Sequence, residues 1–324
     1  MTRDRPASPG AQSQARVRKP KALASGARVA VFAPASPGSE TRVAAGVAEL
    51  RRLGFVAEMP APRQVEGYFA AGAEARRAEF VNLLNDRGVD ALIGTRGGYG
   101  SNYLLDASLA SAVGEPKAVI GFSDLTSLQI FLWQQHQWAT FYGPMVGAGF
   151  DAGADAPSGY DERSMRASIS EANQGWSTSL SGEVLLGGEA EGRLLGGAMT
   201  IVEATFGTPW ELDTRGAILI LEDRGMKPYQ VDRALMHFKQ AGKLDGIAGI
   251  VLGDFPDCEP PVAGSPTVRD VCSRILGLLG VPVVFGAPVG HTMRPMLTLP
   301  LGVKARLRSQ GGGTLEIMEA AVTR

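Results

Sequence analysis

The segment "RVAVFAPAS", Arg28–Ser36, followed by "TRVAAGVAELRRLGF", Thr41–Phe55, decides the fold. The first stretch is a continuous apolar strand ending in small residues. Strands of a parallel sheet read this way, because helices cover both of its faces. The second stretch repeats apolar residues at helical spacing and stops at Gly54, the residue type that most readily ends a helix. Together they make one strand-helix unit. The pattern recurs downstream, where "RRAEFVNLLNDRG" reads as a helix and "VDALIGT" and "AVIGFS" read as buried strands. Residues 28–152 are therefore expected to form an α/β domain around a doubly wound sheet. Functional groups in such sheets gather at the carboxyl ends of the strands. Three small or polar loops fall there: "APASPGS", "GTRGGYGSN" and "GFSD".

A break follows at "GFDAGADAPSGYDERS", whose Gly, Ala, Asp, Pro and Ser lack periodicity, as linkers do. We place a linker over residues 153–184 and a second domain over 185–324. That domain mixes strands ("GRLLGG", "GAILILED", "GIAGIVLGDF", "VPVVFG") with two helices, "YQVDRALMHFKQAG" and "TVRDVCSRILGLLG". A smaller α/β domain with its own core and some antiparallel pairing is expected.

Composition narrows the function. With 324 residues at 44% hydrophobic, the chain has room for a substantial core. Cys258 and Cys272 are too few for a disulfide framework and lack C-x-x-C spacing, which favours a reducing, cytoplasmic compartment and argues against a zinc site. The first 28 residues carry seven basic side chains against Asp4, a charge of +6, so a total of −1 leaves −7 on the remainder. An acidic body lacks the concentrated basic face that nucleic acid requires. Residues 1–27 are expected to be a solvated, disordered basic tail. No stretch has the apolar length of a signal peptide or a membrane span, so no membrane partner is expected.

The chemistry centres on "KAVIGFSDLTSLQIF", Lys117–Phe131. A strand turning sharply into a helix lifts the corner side chain, Ser123, above the sheet edge, where helix N–H groups point at whatever bonds to it. Ser123 reads either as a nucleophile, with the Asp124 N–H as an oxyanion donor, or as a helix cap. A nucleophilic serine needs a base, and the chain has three histidines. His136 lies about three turns into the following helix and points away. His237 sits mid-helix among apolar neighbours as a structural residue. His291 follows "VFGAPVG", where a side chain can reach across a cleft. The base needs a carboxylate on its second nitrogen, and Glu222 and Asp223 both end the most apolar strand of the second half.

At this point the chain resembles the LD-carboxypeptidases, serine peptidases that include muramoyl-tetrapeptide carboxypeptidase and the microcin-immunity peptidases. The resemblance runs from about Val29 to Arg308 and rests on "RGGYGSNYLLD", "AVIGFSDLTSL", "FYGPM", "LLGGAMTIVEATFGTPW", "ILILEDRGMKPYQVDRAL", "LGDF" and "GHTMRPMLTLPLGVKARL". It implies a Rossmann-like or flavodoxin-like N-terminal layer, a C-terminal domain with barrel character, and an active site between them. It places the nucleophile on Ser123, the acid on Glu222 and the base on His291, leaving Asp223 as a strand-end residue. The oxyanion donors it implies are the Asp124 N–H and that of Gly97 or Gly98. Ala198, Gly225 and Met296 depart from the family's usual residues, which bears on the substrate subsite and leaves the triad intact. The implied reaction releases a terminal D-alanine from peptidoglycan tetrapeptides by cutting an L-to-D peptide bond, with no metal or organic cofactor. Arg96 and Arg294 are candidates by location for the substrate carboxylate, and the helix at 229–242 for a homodimer contact. Two alternatives stand beside this: a peptidase of the microcin-immunity type that cleaves a peptide-nucleotide antibiotic, and a non-catalytic nucleotide or phosphate binder using "GTRGGYGSN". The glycines of that loop do not spell G-x-G-x-x-G.

Overall fold

The computed structural model describes residues 16–61, 63–172 and 175–324. In its first half, β1 (Arg28–Phe32), β2 (Val56–Ala57), β3 (Ala91–Gly94), β4 (Ala118–Gly121) and β5 (Thr140–Tyr142) pair in parallel in the order β2-β1-β3-β4-β5. They are joined through α1 (Glu40–Arg52), α2 (Ala73–Asn85), α3 (Ala107–Ala112) and α4 (Thr126–His136). Every residue of β3 and β4 is buried, which is why these strands read as unbroken apolar runs. Helix α1 turns Val43, Val47 and Leu50 inward.

The second half supplies α5 (Glu162–Ile169), β6 (Trp176–Ser179), β7 (Glu183–Leu186), β8 (Gly188–Ala198), α6 (Met199–Glu203), β9 (Ala217–Glu222), α7 (Pro228–Gln240), β10 (Gly249–Leu252), α8 (Val268–Leu276), β11 (Val283–Phe285), β12 (Leu299–Leu301), β13 (Lys304–Ser309) and β14 (Thr314–Ile317). All these strands except β12 form one mixed sheet, β6-β14-β13-β8-β9-β10-β11-β7. Among the described residues no pairing joins its end strands β6 and β7, so the expected barrel character takes the form of an unclosed sheet.

Three boundaries differ from the sequence reading. Residues 16–27 are not a disordered tail: the Arg18 N–H donates to Gln137 O (2.9 Å), the Ala22 N–H to Thr323 O (2.8 Å) and the Leu23 N–H to Ile169 O (2.8 Å), and Val17 and Leu23 are buried. Local charge foretold solvation, whereas backbone groups remote in sequence offer this segment its partners. Residues 1–15 of that expectation lie outside the described residues. The 153–184 linker carries α5 and β6, the latter paired with β14. Finally, β12 leaves the second half and pairs antiparallel with β5, closing the edge of the first sheet. Pro300 at its centre fits an edge strand, since proline has no N–H to give a further neighbour. This crossing draws the carboxyl ends of β4 and β9 together, and Tyr142, at the end of β5, touches Glu222 at the end of β9. Among the described residues no helix is long and apolar enough to cross a membrane.

Candidate active site

Strand β4 delivers its chain into a corner at Phe122 and Ser123. Ser123 has φ 61°, a left-handed conformation that costs a non-glycine residue on the order of 1–3 kcal/mol. Strain of this kind is what lifts a nucleophile clear of a strand-to-helix turn. Below it, Asp124 turns its carboxylate inward, where it accepts the Ser101 N–H at 2.8 Å, while the Ser101 hydroxyl donates to Asp124 O at 2.6 Å. Burial raises the Asp124 carboxyl above its ordinary value against the pull of these bonds and of the Arg76 charge. The Asp124 side chain thus ties the corner to the loop after β3.

That loop brings Gly97 directly onto the serine. A Cβ on Gly97 would stand 2.7 Å from Ser123 Cβ, 2.8 Å from its Oγ and 3.2 Å from the Asp124 nitrogen. Only glycine permits this approach. Gly98 packs instead on Ser36, where a Cβ would meet the hydroxyl oxygen at 2.3 Å.

On the facing side, β9 ends in Glu222, which is wholly buried. A buried carboxylate requires donors, and it has three. The His291 Nδ1 lies 2.8 Å from Oε2, the His291 backbone N–H donates to the same oxygen at 2.8 Å, and the Tyr142 hydroxyl donates to Oε1. Gly290 makes the approach possible: its φ is 62°, and a Cβ there would sit 2.2 Å from Glu222 Cδ. With Nδ1 engaged on Glu222, Nε2 is the ring nitrogen left for a further partner. Phe122 braces the ring edge-on at a centroid distance of 5.0 Å, so the residue before Ser123 touches His291. Burial lowers the affinity of His291 for a proton, but the charge and hydrogen bond of Glu222, with the charge of Asp223, outweigh it; Arg224 opposes them, and the net pKa is raised. Asp223 is otherwise occupied, accepting the Thr200 N–H at 2.9 Å and its hydroxyl at 2.8 Å.

Ser123 and His291 line one cavity of about 470 Å³ with Arg96, Gly97, Gly98 and Phe122. Arg96 is exposed at its rim. Arg294 is not a lining residue and corrects the sequence reading: its guanidinium is held by Asp254 (2.6 and 3.2 Å), Ser181 O (3.2 Å) and Gly286 O. A position three residues past His291 was its only recommendation, and the turn there points the side chain back toward Asp254 and Gly286. Two lining arginines were missed. Arg42 pairs with Asp151 at 2.6 Å and Arg224 with Asp257 at 2.7 Å. Arg42 looks like any charged helix position; Arg224, next to the Glu-Asp pair, carried a usable signal. Met296 lines the cavity, while Ala198 and Gly225 do not. Neither His136 nor His237 reaches it; the latter pairs with Glu203 at 2.8 Å.

Comparisons with known proteins find matches in both halves of the chain. Residues 29–143 match the family description "LD-carboxypeptidase N-terminal domain" and residues 191–307 match "LD-carboxypeptidase C-terminal domain". A protein of Bacillus subtilis named "Probable murein peptide carboxypeptidase" is 34% identical over 297 residues, 90% of this chain and 92% of the relative. The microcin C7 self-immunity protein MccF of Escherichia coli is 28% identical, over 84% of this chain and 87% of its own. Among solved structures, the muramoyltetrapeptide carboxypeptidase from Oxalobacter formigenes superposes with a TM-score of 0.79 at 27% identity, covering 91% of this chain and all of that one. Family domains matched in both halves, together with a relative 34% identical over 90% of this chain, make this chain a member of the LD-carboxypeptidase family.

Proposed function

We propose that this protein is a serine-type carboxypeptidase that releases the terminal D-alanine of murein tetrapeptides by a Ser123-His291-Glu222 triad. The observation that carries the reading is the buried Glu222 gripping Nδ1 of a histidine that shares one cavity with a strained serine. Ser123 Oγ attacks the carbonyl carbon of the last peptide bond and gives its proton to His291 Nε2. The oxyanion takes hydrogen bonds from the Asp124 N–H and, of the two glycines in the loop, from that of Gly97, whose backbone lies against the serine. The tetrahedral species collapses as His291 passes the proton to the leaving amine, freeing the terminal amino acid and leaving an ester on Ser123. Water, deprotonated by His291, then adds to that ester and restores the serine hydroxyl. Glu222 fixes the tautomer and steadies the imidazolium in both halves. Arg96 has the reach and sign to meet the terminal carboxylate of the substrate, with Arg42 and Arg224 adding positive potential.

The test is mass spectrometry of free D-alanine from a muramoyl tetrapeptide, comparing the intact protein with Ser123→Ala. Release by the intact protein and a loss of at least about a thousandfold in the variant support the reading. No release by either, with cleavage of an aminoacyl-nucleotide conjugate instead, would move the chain to the antibiotic-cleaving kind of activity.

A further inference from the structure

Beside the glycine that touches Ser123 lies a cluster of aromatic rings that the catalytic reading leaves unused. Tyr68 and Phe69 come from the segment between β2 and α2, and Tyr99 and Tyr103 from the chain after β3. Their ring centroids stand 4.5 Å (Tyr68 to Phe69), 5.7 Å (Tyr68 to Tyr99), 5.4 Å (Phe69 to Tyr103) and 5.9 Å (Tyr99 to Tyr103) apart. The three tyrosines are 60%, 41% and 56% exposed, so folding gains little from them.

The structure nonetheless holds the rings in place. Arg76 is 1% exposed, and its guanidinium donates to Ala71 O at 2.8 Å, to Gly100 O at 2.7 Å and to Pro34 O, pinning three loops together. The same guanidinium carbon lies 4.7 Å from the centroid of Phe69. A Cβ on Gly100 would stand 2.6 Å from the Phe69 ring, so the two loops are in direct contact. Phe69, half-buried, is fixed in this way, and the three exposed tyrosines pack on it and on one another at stacked, tilted or edge-on angles, so the cluster is preorganised for a ligand and little entropy remains to be lost on binding.

Reach and chemistry identify the ligand. The Cα of Tyr99 is at most about 7.6 Å from that of Gly97, which touches the nucleophile. Three residues on the acyl side of the scissile bond span roughly 10 Å when extended. The amino end of such a peptide can therefore arrive at the rings, and in a murein peptide that end bears an amino sugar. A pyranose offers C–H groups to the face of a phenol and hydroxyls to its oxygen. We propose that Tyr68, Phe69, Tyr99 and Tyr103 form a carbohydrate subsite for the amino-sugar end of a murein peptide, an inference that rests on the hydrolytic reading above.

The experiment pairs two substrates, the free tetrapeptide and the disaccharide tetrapeptide, with the intact protein and the Tyr68→Ala/Tyr103→Ala variant. Neither residue lines the reaction cavity. The variant is expected to lose roughly tenfold in kcat/KM on the sugar-bearing peptide, through KM, and to stay within about twofold on the free one. Equal loss on both substrates, or loss on neither, would overturn the subsite; so would equal loss accompanied by a change of oligomeric state on sedimentation, which would assign the rings to a contact between copies. Calorimetry on the Ser123→Ala protein separates this from the hydrolytic reading. If the intact protein releases no D-alanine from either substrate, that reading fails, while tighter binding of the sugar-bearing peptide, lost on Tyr68→Ala/Tyr103→Ala, still upholds the subsite. Equal affinity for the two peptides ends it.

Discussion

Ser123 and His291 face one cavity but are held there by opposite means. The serine is placed by backbone: a positive φ at the end of a buried strand, with Gly97 lying against it. The histidine is placed by side chains: a fully buried Glu222, itself held by the Tyr142 hydroxyl and the His291 N–H, grips one ring nitrogen. In the proposed roles, the nucleophile side is thus sensitive to volume, and the acid-base side to charge. This difference gives each side its own way of being broken.

Charge removal on the acid-base side has the largest expected effect. Glu222→Gln keeps the shape but takes away the countercharge that opposes burial of the imidazolium, and a triad whose carboxylate becomes an amide loses on the order of 10³–10⁴ in kcat. The sign of the pH effect follows from the same balance. His291 must be neutral to accept a proton, and its pKa is raised, so the acid limb of the intact protein's kcat/KM profile should lie above the ordinary histidine value of 6.5. In Glu222→Gln burial is less opposed and the limb should move down. A limb that stays in place in the variant would detach Glu222 from the base.

Volume is the corresponding perturbation on the nucleophile side. Gly97→Ala adds one methyl group that meets Ser123 Cβ and Oγ within 3 Å, and either the corner or the loop must give way. Displacing one oxyanion donor and the serine together should lower kcat by about 10²–10³. The pH limb should not move, because Glu222 holds His291 Nδ1 and the added methyl group meets neither residue. A shifted limb would show that the two sides do not act as separate devices.

What was legible in the sequence follows the same division. Ser123 could be read because a buried strand, a corner and a helix are contiguous, and Glu222 and His291 because each ends a strand or follows a glycine turn. Their union could not be read from local pattern, because it depends on β12 crossing between sheets and on the Tyr142 hydroxyl arriving from β5, contacts among residues far apart in the chain. The basic segment 16–27 was misread for the same reason: its composition says solvent, and its partners are Gln137, Ile169 and Thr323. Arg76 shows the converse, a charged helix residue that no sequence pattern singles out and that is buried against three carbonyls.

The two arginines first considered for the substrate carboxylate carry the comparison to its smallest effect. Arg96 follows β3 on the nucleophile side, is exposed, and lines the cavity. Arg294 follows His291 on the acid-base side and is spent on Asp254 and two carbonyls. Arg96→Ala should raise KM for a peptide with a free terminal carboxylate by about tenfold, leaving the melting temperature unchanged, since a half-solvated ion-carboxylate contact is worth about 1–2 kcal/mol. Arg294→Ala should do the reverse, lowering the melting temperature by a few degrees as Asp254 loses its partner, with KM little changed. Steady-state kinetics and thermal melts on the two variants decide it. If Arg294→Ala raised KM as Arg96→Ala does, the turn after His291 would have to open toward the cavity when substrate binds, and Arg294 would belong to the substrate site after all.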